Sequence, residues 1–274
     1  MAAQQDSMIV CQVSDMHLLA NGQLAYGTVD TAAHFRRCIA DIRKLPQQPD
    51  AVVMTGDLVD SGQPEQYALL RELIAPLPMP VYLIPGNHDE RDALRNAFPD
   101  HAYLNQFPPY IQYAIEEHAL RIVAIDTVVP GADGGELCAQ RLEWLALTLA
   151  TAPHRPTLLI MHHPPFATHI GFMDAIGLAT SEPLAHIVAK NPQIERILCG
   201  HLHRPIHARF AGTLACTAPS TAHQITLDLA PAAPATFMLE PPAYFVHAWN
   251  AATGVVTHTA YIGEFAGPYP FNPA

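Results

Sequence analysis

The chain has 274 residues, half of them hydrophobic and 14% charged, enough for one large domain or two small ones around a sizeable core. Its 14 Lys and Arg against 25 Asp and Glu give a formal net charge of -11, which argues against a nucleic-acid polymer or an anionic membrane as main partner. A small phosphorylated ligand stays open, provided that local positive charge overrides the global field. The opening "MAAQQDSMIV" has no basic stretch followed by a long apolar one, so no signal peptide is expected, and no run reaches transmembrane length. Five cysteines (Cys11, Cys38, Cys138, Cys199, Cys216) are widely spaced without a CxxC pair, which points to a reduced, cytoplasmic setting.

In chain order, "MIVCQV" (8–13) reads as a strand and Thr31 to Lys44 as a helix capped by Asp30 or Thr31, with Phe35, Cys38, Ile39 and Ile42 on one face. "AVVMTG" (51–56) is a strand. Ser61 to Ala75 is a helix with Pro64 in its first turn. "VYLIPG" (81–86) is a strand, followed by a short helix over about 90–97. "LRIVAID" (120–126) is a strand, and Glu136 to Ala150 a helix with Leu142, Leu145 and Leu149 facing inward. "TLLIM" (157–161) and "RILCG" (196–200) are strands, separated by a long loop and a helix near 182–190. This alternation predicts an α/β domain with helices over a buried sheet. The core runs over about 8–230. After a proline-rich segment, Ala230 to Ala243, a C-terminal β-hairpin over about 243–264 is expected to join the main sheet or a partner subunit. One domain over 1–274 is the expectation.

The strand ends share one chemistry. The first ends in "SDMH", with Asp15 and His17 two residues apart, so both can meet one point. The next ends in "TGDLVD" with Asp57, where Gly56 permits a tight turn. The third ends in "GNHDE", the fifth in "MHHPP" and the sixth in "CGHLHR". Ligands of open α/β sheets bind beyond the carboxyl ends of the strands. Asp15, His17, Asp57, Asn87, His162, His201 and His203 therefore form a hard-to-borderline N/O donor set suited to transition metals. Seven donors exceed the need of one four-coordinate zinc. Two metals sharing a carboxylate fit better, and they would make the rim locally positive. DxH, GDLVD and GHLH alone are as well explained by ordinary turns or satisfied histidines, GNHD less so because Asn-His-Asp after a glycine suits a plain turn poorly; their joint occurrence at strand ends is not.

DxH (Asp15, His17), GDxxD (Gly56, Asp57, Asp60), GNHD (Gly86 to Asp89), His162 and GHxH (Gly200 to His203) together resemble the calcineurin-like metallophosphoesterase superfamily over residues of about 9–205. "LAYGTVDT", "YLIPGNHD", "MHHPP" and "AHQI" look most like its bacterial glycerophosphodiesterase and class III cyclic-nucleotide phosphodiesterase group. The resemblance implies a four-layer α/β/β/α sandwich and two metal ions drawn from Mn, Fe, Zn or Co. Asp15, His17 and His203 would hold one metal, Asn87, His162 and His201 the other, and Asp57 would bridge. His88 would contact substrate. The implied reaction is hydrolysis of small phosphodiesters of the glycerophosphodiester or 3',5'-cyclic nucleotide type by metal-activated water. A phosphomonoesterase with the same centre is the alternative, ahead of a non-catalytic scaffold or a structural metal protein. A homo-oligomer, dimer or higher, through the C-terminal segment is a further expectation. Asp60, Asp89, His163, His223 and the 164–181 loop, with Phe166, His169, Phe172 and Met173, stay without an assigned role.

Overall fold

A computed structural model describes residues 7–271; residues 1–6 and 272–274, the two ends of the expected 1–274 domain, lie outside the described residues. The first half of the chain forms β1 (Ser7–Val13), α1 (Thr31–Ile42), β2 (Ala51–Thr55), α2 (Pro64–Ile74), β3 (Val81–Ile84) and α3 (Arg91–Ala97). Next come a 3-10 turn (Ala102–Asn105), β4 (Tyr113–Ile115), β5 (Arg121–Ala124), α4 (Ala139–Ala150), β6 (Thr157–Ile160), α5 (Gly171–Asp174) and α6 (Glu182–Ala189). The chain ends with β7 (Ile194–Cys199), β8 (Ile206–Phe210), β9 (Thr213–Thr217), β10 (Gln224–Ile225), β11 (Phe237–Met238), β12 (Ala243–Asn250) and β13 (Gly254–Tyr261).

Two large sheets result, in the orders β13-β12-β1-β2-β3 and β4-β5-β6-β7-β9-β8, beside a two-stranded ribbon of β10 and β11. Side-chain alternation along the second sheet shows how they stack. Ile122, Leu158, Ile160 and Leu198 enter a core shared with Val10, Val53 and Leu83 of the first sheet. Their neighbours Val123, Leu159 and Ile197 point the other way, onto Leu145 and Leu149 of α4 and Leu184 and Val188 of α6. Phe35, Ile39, Tyr67 and Leu70 of α1 and α2 cover the first sheet. The layers are helix, sheet, sheet, helix, so the central strands are apolar on both faces and fully buried.

Several boundaries differ from the sequence expectation for local reasons. The first helix stops at Ile42, and its cap is Asp30, whose carboxylate accepts from Ala33 N at 2.8 Å. The helix expected from Ser61 starts at Pro64, the residue whose missing N–H suits a first turn. α4 starts after Cys138; Leu145 and Leu149 are buried as expected, Leu142 packs half-buried against the same core, and Arg141 is buried as well. β4, β8 and β9 were not expected: β4 has three residues, and β8 (IHARF) and β9 (TLACT) interleave polar with apolar residues in place of an unbroken apolar run. The proline-rich segment includes β11, which pairs with β10. The C-terminal hairpin joins the main sheet: β12 runs antiparallel to β1, with Val10 opposite His247, and β13 is the edge. Among the described residues no helix is long and apolar enough to cross a membrane.

Candidate metal centre

The parallel strands of both sheets end at one rim, and the backbone there is unusual. Asp15, His17, Asp57, His201 and His203 all have positive φ, at 55°, 44°, 48°, 71° and 51°. The left-handed region costs a non-glycine residue about 1–2 kcal/mol, and such strain persists only where the surroundings impose it. Here main-chain bonds between loops do so: Asp15 N to Gly56 O at 3.1 Å, His17 N to Asp57 O at 3.0 Å and Gly200 N to His162 O at 3.0 Å. His201 N also donates to Asp15 Oδ1 at 2.8 Å.

Asp15, His17, Asp57 and His203 offer ligand atoms that all lie within 4.8 Å of one another, and all four residues are buried. His17 Nε2 is 3.1 Å from His203 Nε2 and 3.5 Å from Asp57 Oδ2. His203 Nε2 is 3.7 Å from Asp15 Oδ1. Alongside stands a second set, in which Asn87 Oδ1 lies 3.1 Å from both His162 Nε2 and His201 Nδ1. Asp57 Oδ2 is 3.4 Å from His162 Nε2. One carboxylate oxygen thus sits between the two sets.

The other nitrogen of each ring tests whether these sets suit a cation. His162 Nδ1 faces the Thr55 carbonyl at 2.8 Å, His201 Nε2 the Ile176 carbonyl at 3.0 Å and His203 Nδ1 the His223 carbonyl at 3.1 Å. A carbonyl only accepts, so these nitrogens carry the proton, and in the neutral rings the inner nitrogens are lone pairs. In the neutral rings lone pair then meets lone pair: His201 Nδ1 against Asn87 Oδ1 at 3.1 Å and, with its Nδ1 proton turned toward Asp60 Oδ1, His17 Nε2 against His203 Nε2 at 3.1 Å. Asp15 Oδ2 is buried with no hydrogen-bond partner. Converging buried acceptors without donors repel one another unless positive charge lies between them. The donor set fits two cations, and the outward carbonyls fix ring orientation as is usual behind metal-bound histidines.

Titration divides the set: His201 and His203 stay neutral, whereas His17 and His162, against the opposing pull of burial, are raised by Asp60 and Asp57, positive charge that a bound cation would replace. Burial, then the neighbouring His162, pushes His201 down to about 3, and burial with the nearby His17 and His223 holds His203 well below the usual imidazole range. Both therefore stay in the neutral, ligating form. Burial raises the Asp15 carboxyl to about 6. For His162 burial opposes the charged ring, but the charge and hydrogen bond of Asp57 outweigh it and carry it up to about 9. Asp57 lies well below the carboxylate range, since His162 and His17 overcome its burial.

His88 is the half-buried member of the group. Its backbone N–H donates to Asp57 Oδ1 at 3.0 Å, its Nδ1 donates to the Asp60 carbonyl at 2.7 Å, and its ring stands edge-on to His17 at 4.5 Å. Nε2 is thereby left for a ligand. Asp60 acts through both histidines, with Oδ1 3.4 Å from His17 Nδ1.

Asp89 braces the site. Its carboxylate accepts from Leu58 N (3.0 Å), Val59 N (3.3 Å), Gly86 N (2.8 Å) and Tyr67 OH (3.0 Å), tying the loops after β2 and β3 together. His163 has both ring nitrogens engaged, Nδ1 with Thr127 Oγ1 at 2.8 Å and Nε2 with the Asp133 carbonyl at 3.0 Å, so it supports its neighbour His162 and has no free donor atom. His223 is buried against His17 and His203, at centroid distances of 5.7 and 4.7 Å, and neither of its nitrogens has a partner. Tyr26 and Phe237 stack beside it at 4.8 Å. Of the 164–181 loop, Met173 packs with Ile170 and Leu202, with Phe172 against them, Phe166 packs on the α4–α6 core, and His169 N bonds Asp174 at 2.9 Å. The loop's contribution to the centre is the Ile176 carbonyl. Thr55, Tyr67, Thr127 and Ile176 escaped the sequence reading because an orienting carbonyl or hydroxyl leaves no residue-type signature.

The family model for calcineurin-like phosphoesterases matches residues 8–205. A probable glycerophosphodiester phosphodiesterase GpdQ of Arcobacter nitrofigilis is 39% identical over 265 residues, spanning 96% of this chain and 97% of its own. The 3',5'-cyclic adenosine monophosphate phosphodiesterase CpdA of Escherichia coli K12 is 33% identical over 215 residues, 78% of this chain and 76% of its own. Among solved structures, a dimetal phosphatase from Danio rerio superposes with a TM-score of 0.63 at 13% identity, covering 93% of this chain and 99% of that one, a likeness of fold. The chain belongs to the calcineurin-like phosphoesterase family and has the metallo-dependent phosphatase fold.

Proposed function

We propose that this protein hydrolyses small phosphodiesters of the glycerophosphodiester type at a dinuclear centre. Asp15, His17 and His203 would hold one metal and Asn87, His162 and His201 the other, with Asp57 as the carboxylate available to both. The observation that carries this reading is Asp57 Oδ2, 3.5 Å from His17 Nε2 and 3.4 Å from His162 Nε2, in contact range of both donor sets. The two ions, when bound, supply an acidified water and electrostatic stabilisation of the phosphate oxygens. Glycerophosphodiesters are favoured because the Arcobacter relative carrying that name aligns with nearly the whole chain, C-terminal hairpin included. The stacked Tyr26 and Phe237 favour a second reading, 3',5'-cyclic nucleotides, since aromatic faces stack on bases.

The residues divide the work. Asp57 fixes the spacing of the two donor sets and, through His88 N, the position of the GNHD loop. The Asn87 amide oxygen gives its set a neutral donor, which leaves more net positive charge for the phosphate. His88, anchored through Nδ1 on the Asp60 carbonyl, presents Nε2 to a phosphate oxygen and, when protonated, hands its proton to the leaving alkoxide. His88→Ala is expected to lower turnover about 100-fold while metal content stays at the wild-type level. Loss of metal in that variant would move His88 into the ligand set.

The diesterase reading is tested by turnover of bis(p-nitrophenyl) phosphate against p-nitrophenyl phosphate under one metal loading. The diester is expected to react at least about 10-fold faster, a preference of about 1.4 kcal/mol. A reversed ratio would establish the monoesterase alternative. The free thiols support a reducing, cytoplasmic setting. Exposed Val256, Tyr261, Phe265 and Tyr269 on and after the edge strand β13 support self-association through the C-terminal segment, which light scattering would read as a mass at least twice that of the chain.

A further inference from the structure

Four of the five cysteines are buried as free thiols; Cys138 alone is partly exposed. It is the N-cap of the 12-residue helix α4, where unpaired backbone N–H groups favour negative charge. Its sulfur lies 3.5 Å from the Tyr110 hydroxyl. Arg141, one turn into the helix and 4% exposed, has its Nε buried without a hydrogen-bond partner, and its guanidinium lies 4.7 Å over the Tyr110 ring. Arg91 lies over the same ring at 5.5 Å and is itself paired with Asp126. The thiol thus sits at a helix start with the Tyr110 hydroxyl 3.5 Å away, and the buried Arg141 guanidinium, with an N–H to spare, covers the ring of that same tyrosine, an arrangement that plays no part in the metal centre.

We infer that Cys138 is a reactive thiolate and the chain's site of S-thiolation by low-molecular-weight disulfides. The Cys138 thiolate attacks one sulfur of the disulfide. A new S–S bond to Cys138 forms as the old one breaks, and the departing half leaves with the electron pair as a thiolate. Cys138 is oxidised to the disulfide level and the leaving half is reduced, so no other oxidant is needed. Partial burial works against the thiolate, but the Tyr110 hydroxyl and the N–H groups and charge of Arg141 outweigh it and bring the thiol down to about 7. Burial drives the rest the other way: Cys11 and Cys216 up to about 12, Cys38 and Cys199 well above the usual thiol range. Thiolate fraction and access together select one cysteine.

The test is intact-mass analysis of the folded protein after incubation with oxidised glutathione at pH 7, followed by peptide mapping. One adduct is expected, on Cys138, and none in Cys138→Ser. Alkylation by iodoacetamide should follow a pH profile with its midpoint near 7. Tyr110→Phe should move that midpoint upward, because it removes the hydroxyl donor to the sulfur. An adduct on another cysteine, no adduct in the folded protein, or a midpoint at the ordinary thiol value of about 8.5 would each overturn the assignment.

Discussion

Asp57→Ala is expected to abolish turnover and strip metal together. The fall should be at least about 1000-fold, equivalent to ~4 kcal/mol of transition-state stabilisation. Three consequences of the substitution act in the same direction. The oxygen between the two donor sets disappears, the acceptor that holds His88 N at 3.0 Å is lost, and the charge that sustains His162 goes with it. Metal content measured by elemental analysis beside kcat on bis(p-nitrophenyl) phosphate checks the result, with circular dichroism to show that the fold remains. A variant that kept both metals and full turnover would contradict the bridging role.

Gly86→Ala is expected to damage the centre nearly as much without touching a ligand. A Cβ at Gly86 would overlap Asp57 Oδ1 and Asp57 N and come within 2.8 Å of His162 Cε1. Neither neighbour has room to move: Asp57 is fixed by His88 N, and His162 by the Thr55 carbonyl. Overpacking of this kind costs about 1–3 kcal/mol of stability, and a misplacement near 1 Å at a reacting centre costs about 100-fold in rate. Thermal melting and metal titration of the variant check both. The opposite site, Gly56, combines φ of 93° with a Cβ that would overlap His162 Nδ1, so it needs glycine for conformation and for space.

The glycines show what was legible in the sequence and what was not. That Gly56 and Gly86 sit at strand ends was readable; that Gly86 serves close approach between loops required coordinates. The seven donors were readable because carboxylate, imidazole and amide oxygen recurred after apolar runs, and the structure brings all seven to one rim. The left-handed backbone at five of them was not, since Asp and His, though enriched there, adopt positive φ too rarely for residue type to signal it. The supporting shell was also hidden. Thr55 and Ile176 act through carbonyls, and Tyr67 reaches Asp89 across 22 residues. The four-layer stacking was implied by the resemblance to a family, while alternation within β5, β6 and β7 explains it physically: each strand sends successive side chains into different cores.

The central claim is that one shared carboxylate joins two metal sites on this chain. Its most direct test is stepwise reconstitution of the metal-depleted protein with Mn, Fe, Zn or Co, reading bound metal per chain and diester turnover at each step. The account predicts saturation at two equivalents with turnover rising to its maximum only as the second binds. Full turnover in the depleted protein, or at a single equivalent that saturates the chain, would contradict it.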